Sequence, residues 1–193
     1  MGRIERASLL SLETYARERN AFRARVIAHK KHRTVQLGEH VTLIFEDELT
    51  VRYQIQEMLR IERIFEEDGV RHELDVYNPL VPDGTNLKAT MMIEYPDVAE
   101  RERELARLKG IEDRTWVQVA GFGRVYAIAD EDLERENEEK TSAVHFLRFE
   151  LEAQMCKALR QGVGLTIGVD HPHYQASVEA AAEVRSALAA DLA

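Results

Sequence analysis

The sequence predicts an α+β fold in one domain over residues 1–193: a mostly antiparallel sheet of six to seven strands, able to curl towards a barrel, with about five helices. Three observations predict it. Stretches of helical period and of strand period alternate irregularly, without the strict strand–helix repeat of a parallel sheet. Several neighbouring strand candidates are joined by short glycine-bearing turns, as in hairpins. A chain of 193 residues, 45% hydrophobic and 32% charged, is long enough to bury one sizeable core.

Taken in order, Ser8 or Ser11 caps a long first helix that runs to about His32. "TVQLGEHVTLIFED" is a hairpin turning at Gly38. Thr50 caps a second helix that stops at Asp68-Gly69, and "RHELDVY" adds a short helical turn before Asn78-Pro79. "VPDG" is a turn, and "NLKATMMIEY" a strand ended by Pro96. Asp97 caps a charged helix that ends at Gly110. "TWVQVAG" and "RVYAIAD" pair across "GFG", and "SAVHFLRFEL" is the clearest strand. "EAQMCKALRQ" is a helix with Gly162 just past its end, "VGLTIGVD" a strand, and Ser177 the start of a final Ala-rich helix.

Composition narrows the function classes. A net charge of −9 argues against nucleic acid and against an anionic membrane surface as partners. No stretch approaches the roughly 18 apolar residues of a membrane span, and "MGRIERASLL" lacks the apolar run of a signal peptide. A cytoplasmic protein is expected. The lone Cys156 excludes an internal disulfide, and its mid-helix setting beside Met155 and Leu159 reads as packing. Walker A, G-x-G-x-x-G after a strand, and a nucleophile elbow are all missing. No Glu-x-x-His occurs, which argues against a ferritin-like di-iron bundle.

The second helix poses a specific question. Val51, Ile55, Met58, Leu59, Ile61 and Phe65 form an apolar stripe, and Glu62 falls inside it. A buried carboxylate must be neutral, paired or bound to a metal. The first helix carries Arg19 in the middle of its own stripe of Leu12, Tyr15, Phe22 and Val26. A structural ion pair between Arg19 and Glu62 is therefore expected, with Glu62 as a metal ligand or general base the functional alternative.

Histidines supply the rest of a candidate ligand set. "GVDHPHYQ" holds Asp170, His171 and His173, a mix of imidazole and carboxylate that suits zinc, iron or manganese, although neutral histidines also serve in ordinary loops. Strand alternation puts His145 on the apolar face of its strand with Leu147 and Phe149, where a core histidine satisfied by a backbone partner is the plainer reading. His29 borders the basic run "FRARVIAHKKHR". The acidic run at 130–139 is complementary to that run, within one chain or between two copies of a homodimer.

Six phrases, "VIAHKKHRTVQLG", "FEDELTVRYQIQEMLRIERIFE", "YNPLVPDGTNLKATMMIEY", "AIADEDLER", "KTSAVHFLRFEL" and "GVDHPHY", carry a resemblance from about Leu9 to Leu192. The chain resembles an uncharacterised bacterial family of unknown function whose genes often sit beside those for rubrerythrin and an iron–sulfur oxidoreductase. The resemblance implies a context of peroxide or iron metabolism, and no catalytic residue.

Two functions follow as expectations. The first is a metal-binding protein or metalloenzyme of redox defence, holding a transition metal with Glu57 or Glu62 and with His29, His145, His171 and His173. The second is a non-enzymatic partner or assembly factor that docks on rubrerythrin or on the iron–sulfur protein. A third, weaker expectation is an apolar small-molecule pocket lined by Met91, Met92, Trp116 and Phe146.

Overall fold

The computed structural model describes residues 2–131 and 140–193. Six α-helices and nine strands lie among them, all nine strands in two antiparallel sheets, so the expected α+β class holds. Neither sheet closes into a barrel. Of the acidic run at 130–139, all but Asp130 and Glu131 lies outside the described residues.

The first sheet contains β1 (Thr34–Leu37), β2 (Val41–Phe45), β3 (Asn86–Ile93), β7 (Val144–Glu150) and β6 (Ile128–Ala129), in the order β1-β2-β3-β7-β6. The second contains β5 (Val125–Tyr126), β4 (Thr115–Val119), β8 (Leu165–His171) and β9 (Tyr174–Glu179), in the order β5-β4-β8-β9. Alternation along β3 and β7 sends Leu87, Ala89, Met91, Leu147 and Phe149 into one shared core, where they meet Val117, Ile167 and Val169 of the second sheet. Helices α5 (Ala153–Arg160) and α6 (Ala182–Ala189) close that core with Met155, Leu159 and Leu188.

A smaller apolar cluster joins α2 (Glu48–Ile61) and α3 (Glu67–Tyr77) through Val51, Ile55, Leu59, Val70 and Leu74. Helix α1 (Leu12–Lys30) packs on α2, and its cap is Ser11, whose Oγ accepts from Thr14 N. Helix α4 (Val98–Arg107) is capped by Asp97 as expected.

Four boundaries differ from expectation. The cap of α2 is Asp47, and Thr50 is the third residue of a reciprocal capping box. Helix α2 ends at Ile61, because Arg63 turns the chain at φ 54°. Asp68 and Gly69 then lie inside α3, a full helix of 11 residues. Ser177 lies in strand β9, which hairpins back from β8, and the last helix starts only at Ala182. Among the described residues no helix is long and apolar enough to cross a membrane.

Candidate functional site

Strand β7 places His145 opposite Met91 and wholly inside, with 0% exposure. Two carboxylates and a hydroxyl converge on it. Asp130, just past β6 at φ 49°, sets Oδ2 2.5 Å from His145 Nδ1, and its Oδ1 accepts from Phe146 N at 3.0 Å. Glu112 opens the 3-10 turn before β4 and is itself buried; its Oε2 is 3.8 Å from His145 Nε2. His145 Nε2 lies 3.0 Å from both Thr141 Oγ1 and Ser142 O.

Burial pushes the imidazole pKa down, but the Asp130 hydrogen bond and the charges of Glu112 and Asp130 outweigh it and hold it above the ordinary histidine value. One ligand atom from each of Glu112, Asp130 and His145 falls within 4.8 Å of the others. Two carboxylate oxygens and one imidazole nitrogen suit zinc, manganese or ferrous iron. The 2.5 Å Asp130–His145 contact is a hydrogen bond, so an ion that takes both groups must displace its proton.

Of the six expected metal ligands, only His145 belongs to such a cluster among the described residues. Glu57 instead receives Arg19 in two parallel bonds of 2.8 Å, the Tyr15 hydroxyl at 2.8 Å and Arg60 at 3.3 Å. The Arg19 hydrogen bonds lead in holding its carboxyl down at about 2, against the effect of burial. The expected Arg19–Glu62 pair is thus corrected to Arg19–Glu57. Glu62 is the exposed residue just past α2, outside the stripe because the helix has already ended.

His29 meets Asp47, Nε2 to Oδ2 at 2.5 Å, beside the buried Arg33. Arg33 is therefore no part of a surface patch. His171 is buried at the end of β8, where burial lowers its pKa; its Nε2 is 2.9 Å from Lys109 O, and its Nδ1 accepts from His173 N. His173 is exposed in the β8–β9 turn. Asp170 bonds Tyr126 and Arg124 and so does not join the histidines.

Glu112 and Asp130 were not legible as site residues. Each sits among neighbouring acids, in "IEDR" and "ADED", so neither stands out from a solvated charge run. The one usable signal was Asp130, an acid at the end of an alternating strand.

None of the curated proteins matches the chain. A solved structure from Burkholderia pseudomallei K96243, described as a novel protein of unknown function, is similar to it throughout: 57% identity, a TM-score of 0.95, and 100% of each chain covered. The family model described as "Protein of unknown function (DUF3501)" matches residues 3–192, so the chain belongs to the DUF3501 family.

Proposed function

We propose that the protein binds one divalent transition metal ion through Glu112, Asp130 and His145, and that this site is its functional centre. The observation that carries the reading is that three separate elements bring one potential ligating atom each from Glu112, Asp130 and His145 to within 4.8 Å of one another, around a wholly buried imidazole. Iron, manganese and zinc fit the donor set. We extend the reading to a cytoplasmic role in peroxide or iron metabolism, with rubrerythrin or an iron–sulfur oxidoreductase as partner. That extension rests on the family resemblance alone.

The test is equilibrium dialysis of chelator-stripped protein against zinc, manganese and, without oxygen, ferrous iron, read by plasma mass spectrometry. About one bound equivalent per chain is expected. Glu112→Gln and Asp130→Asn, each checked for an unchanged circular dichroism spectrum, should weaken binding at least about tenfold. Metal-free wild type, or binding that both variants leave intact, makes the cluster a structural imidazolium–carboxylate lock.

A second reading is a docking factor, favoured by the turn between α2 and α3, where Phe65 is 73% and Ile61 60% exposed. A metal-free protein that forms a complex with rubrerythrin, lost on Phe65→Ser, would establish it.

A further inference from the structure

The five-stranded sheet has a second face, turned away from the core. Ile44 of β2, Thr90 and Met92 of β3, and Val144 and Phe146 of β7 stand on it, in the rows set by the pairing of Ile44 with Thr90 and of Thr90 with Phe146. Helix α2 lies over this face with Val51 and Gln54, and the end of α3 adds Tyr77 and then Leu80. The two layers do not close on each other. A cavity of about 280 Å³ separates them, near the lower end of the range for small-molecule sites. Protein interiors are normally packed to crystal density, and this opening between the two layers leaves room for a small ligand.

The walls name its chemistry. Glu46, 9% exposed, follows β2 into the cavity, and its Oε1 accepts one hydrogen bond, from Thr90 Oγ1 at 2.6 Å. Among the described residues no cation pairs with this carboxylate. Lys30, half-buried at the end of α1, lines the same cavity, and among the described residues no carboxylate pairs with its ammonium. A carboxylate this buried with a single neutral donor is expensive. A ligand ammonium would give it charge-assisted hydrogen bonds. Lys30 and the exposed Gln54 offer donors to an anion, and Met92, Phe146 and Leu80 add apolar surface to the same lining.

We propose that this cavity binds a small zwitterion with an apolar side chain, of the α-amino acid class. Its ammonium meets Glu46, its carboxylate meets Lys30, and its side chain lies on Met92 and Phe146. The lining includes two of the four residues, Met92 and Phe146, expected from the sequence for an apolar pocket; Met91 and Trp116 are buried elsewhere. The site is separate from the Glu112–Asp130–His145 cluster, since His145 and Phe146 point to opposite faces of β7.

The experiment is calorimetric titration of the whole protein, with chelator present, using L-leucine, L-methionine and L-phenylalanine. The half-molecules phenethylamine and 3-phenylpropionate are the controls. At least one amino acid should bind saturably, and both half-molecules at least about tenfold more weakly than L-phenylalanine or its best analogue. Glu46→Gln should weaken binding at least about tenfold with its melting temperature recorded. Lys30→Met, at a helix end where folding is not at stake, should weaken it at least about fivefold. No saturable binding up to about 10 mM overturns the proposal. So does a half-molecule that binds as tightly as the amino acid, or binding that Lys30→Met and a folded Glu46→Gln leave unchanged. Chelator in every titration keeps this outcome independent of the metal reading.

Discussion

Glu57 shows how one carboxylate can be held by several weak partners into one firm position. Arg19 grips it with two bonds, Tyr15 and Arg60 add others, and two of these three groups, Arg19 and Tyr15, come from the neighbouring helix α1. Hydrogen bonds to charged groups contribute about 1.5–3 kcal/mol each before neighbours share the effect. Glu57→Gln should therefore cost about 2 kcal/mol in urea denaturation, and a double-mutant cycle with Arg19→Met should show coupling. Additive losses would sink the pairing. Because the folded carboxyl sits at about 2, below its ordinary value, its contribution is present above pH 4.5 and is lost as pH falls from there towards 2. The Glu57→Gln variant should lack that part of the acid-induced loss. The stripe on α1 with an arginine in its middle was legible in the sequence, and so was the need for an acidic partner. The partner itself was not. Periodicity assigns a phase but no helix end, and Arg63 at positive φ removes Glu62 from the face that it would occupy on a longer helix.

At the scale of elements, close approach decides what pattern cannot. Trp116 of β4 pairs with Gly168 of β8, and its ring lies across the space where a side chain would stand. A Cβ at position 168 would come within 2.8 Å of Trp116 Cε2 and 2.9 Å of Ala176 O. Arg124 stacks over the ring, 3.9 Å from its centroid. Gly168→Ala must push the indole outwards, at a cost of about 1–3 kcal/mol. The protein has one tryptophan, so the displacement should appear as a red shift in emission together with a lower melting temperature. An unshifted spectrum would mean that the backbone, and not the ring, gives way. The sequence showed "GLTIGVD" as a strand and rightly placed helices α1, α4 and α5. It did not show that "YQASVE" pairs back on β8. Alternation there is blunted, with most of β9 exposed, so the only local cue was the short Pro172-His173 turn.

At the scale of the molecule, Arg33 joins parts that lie far apart in the chain. It is 2% exposed; its Nε donates to Phe45 O at 3.0 Å, its Nη1 to Ala187 O at 3.3 Å, and Nη2 pairs with Asp191. Asp47, the cap of α2, lies 3.4 Å from Nη1 and also holds His29. One guanidinium thus ties the first sheet, the start of α2, α6 and the segment after it, and reaches α1 through Asp47 and His29. Sequence reading placed Arg33 in a basic surface run, because a partner 158 residues away leaves no local trace. The division of strands between two sheets was hidden for the same reason: β5 and β6 are separated by Ala127 alone, yet join different sheets. The two acids on Arg33 are unequal. Burial raises both carboxyls, but Arg33, the Thr50 N–H and His29 together pull Asp47 below its ordinary value. Asp191 is left pushed up to about 6 by its burial, against the pull of Arg33. A raised pKa means that burial costs the ionised carboxyl more than Arg33 returns, so a permanently neutral side chain gives up little. Asp191→Asn should therefore cost under about 1 kcal/mol in urea denaturation at pH 7. Arg33→Met strands Asp47 and Asp191 together in the interior and should cost about 3–5 kcal/mol. Equal losses from the two substitutions would mean that Arg33 more than offsets the burial of the Asp191 carboxylate, and that the arginine is shared evenly between its acids.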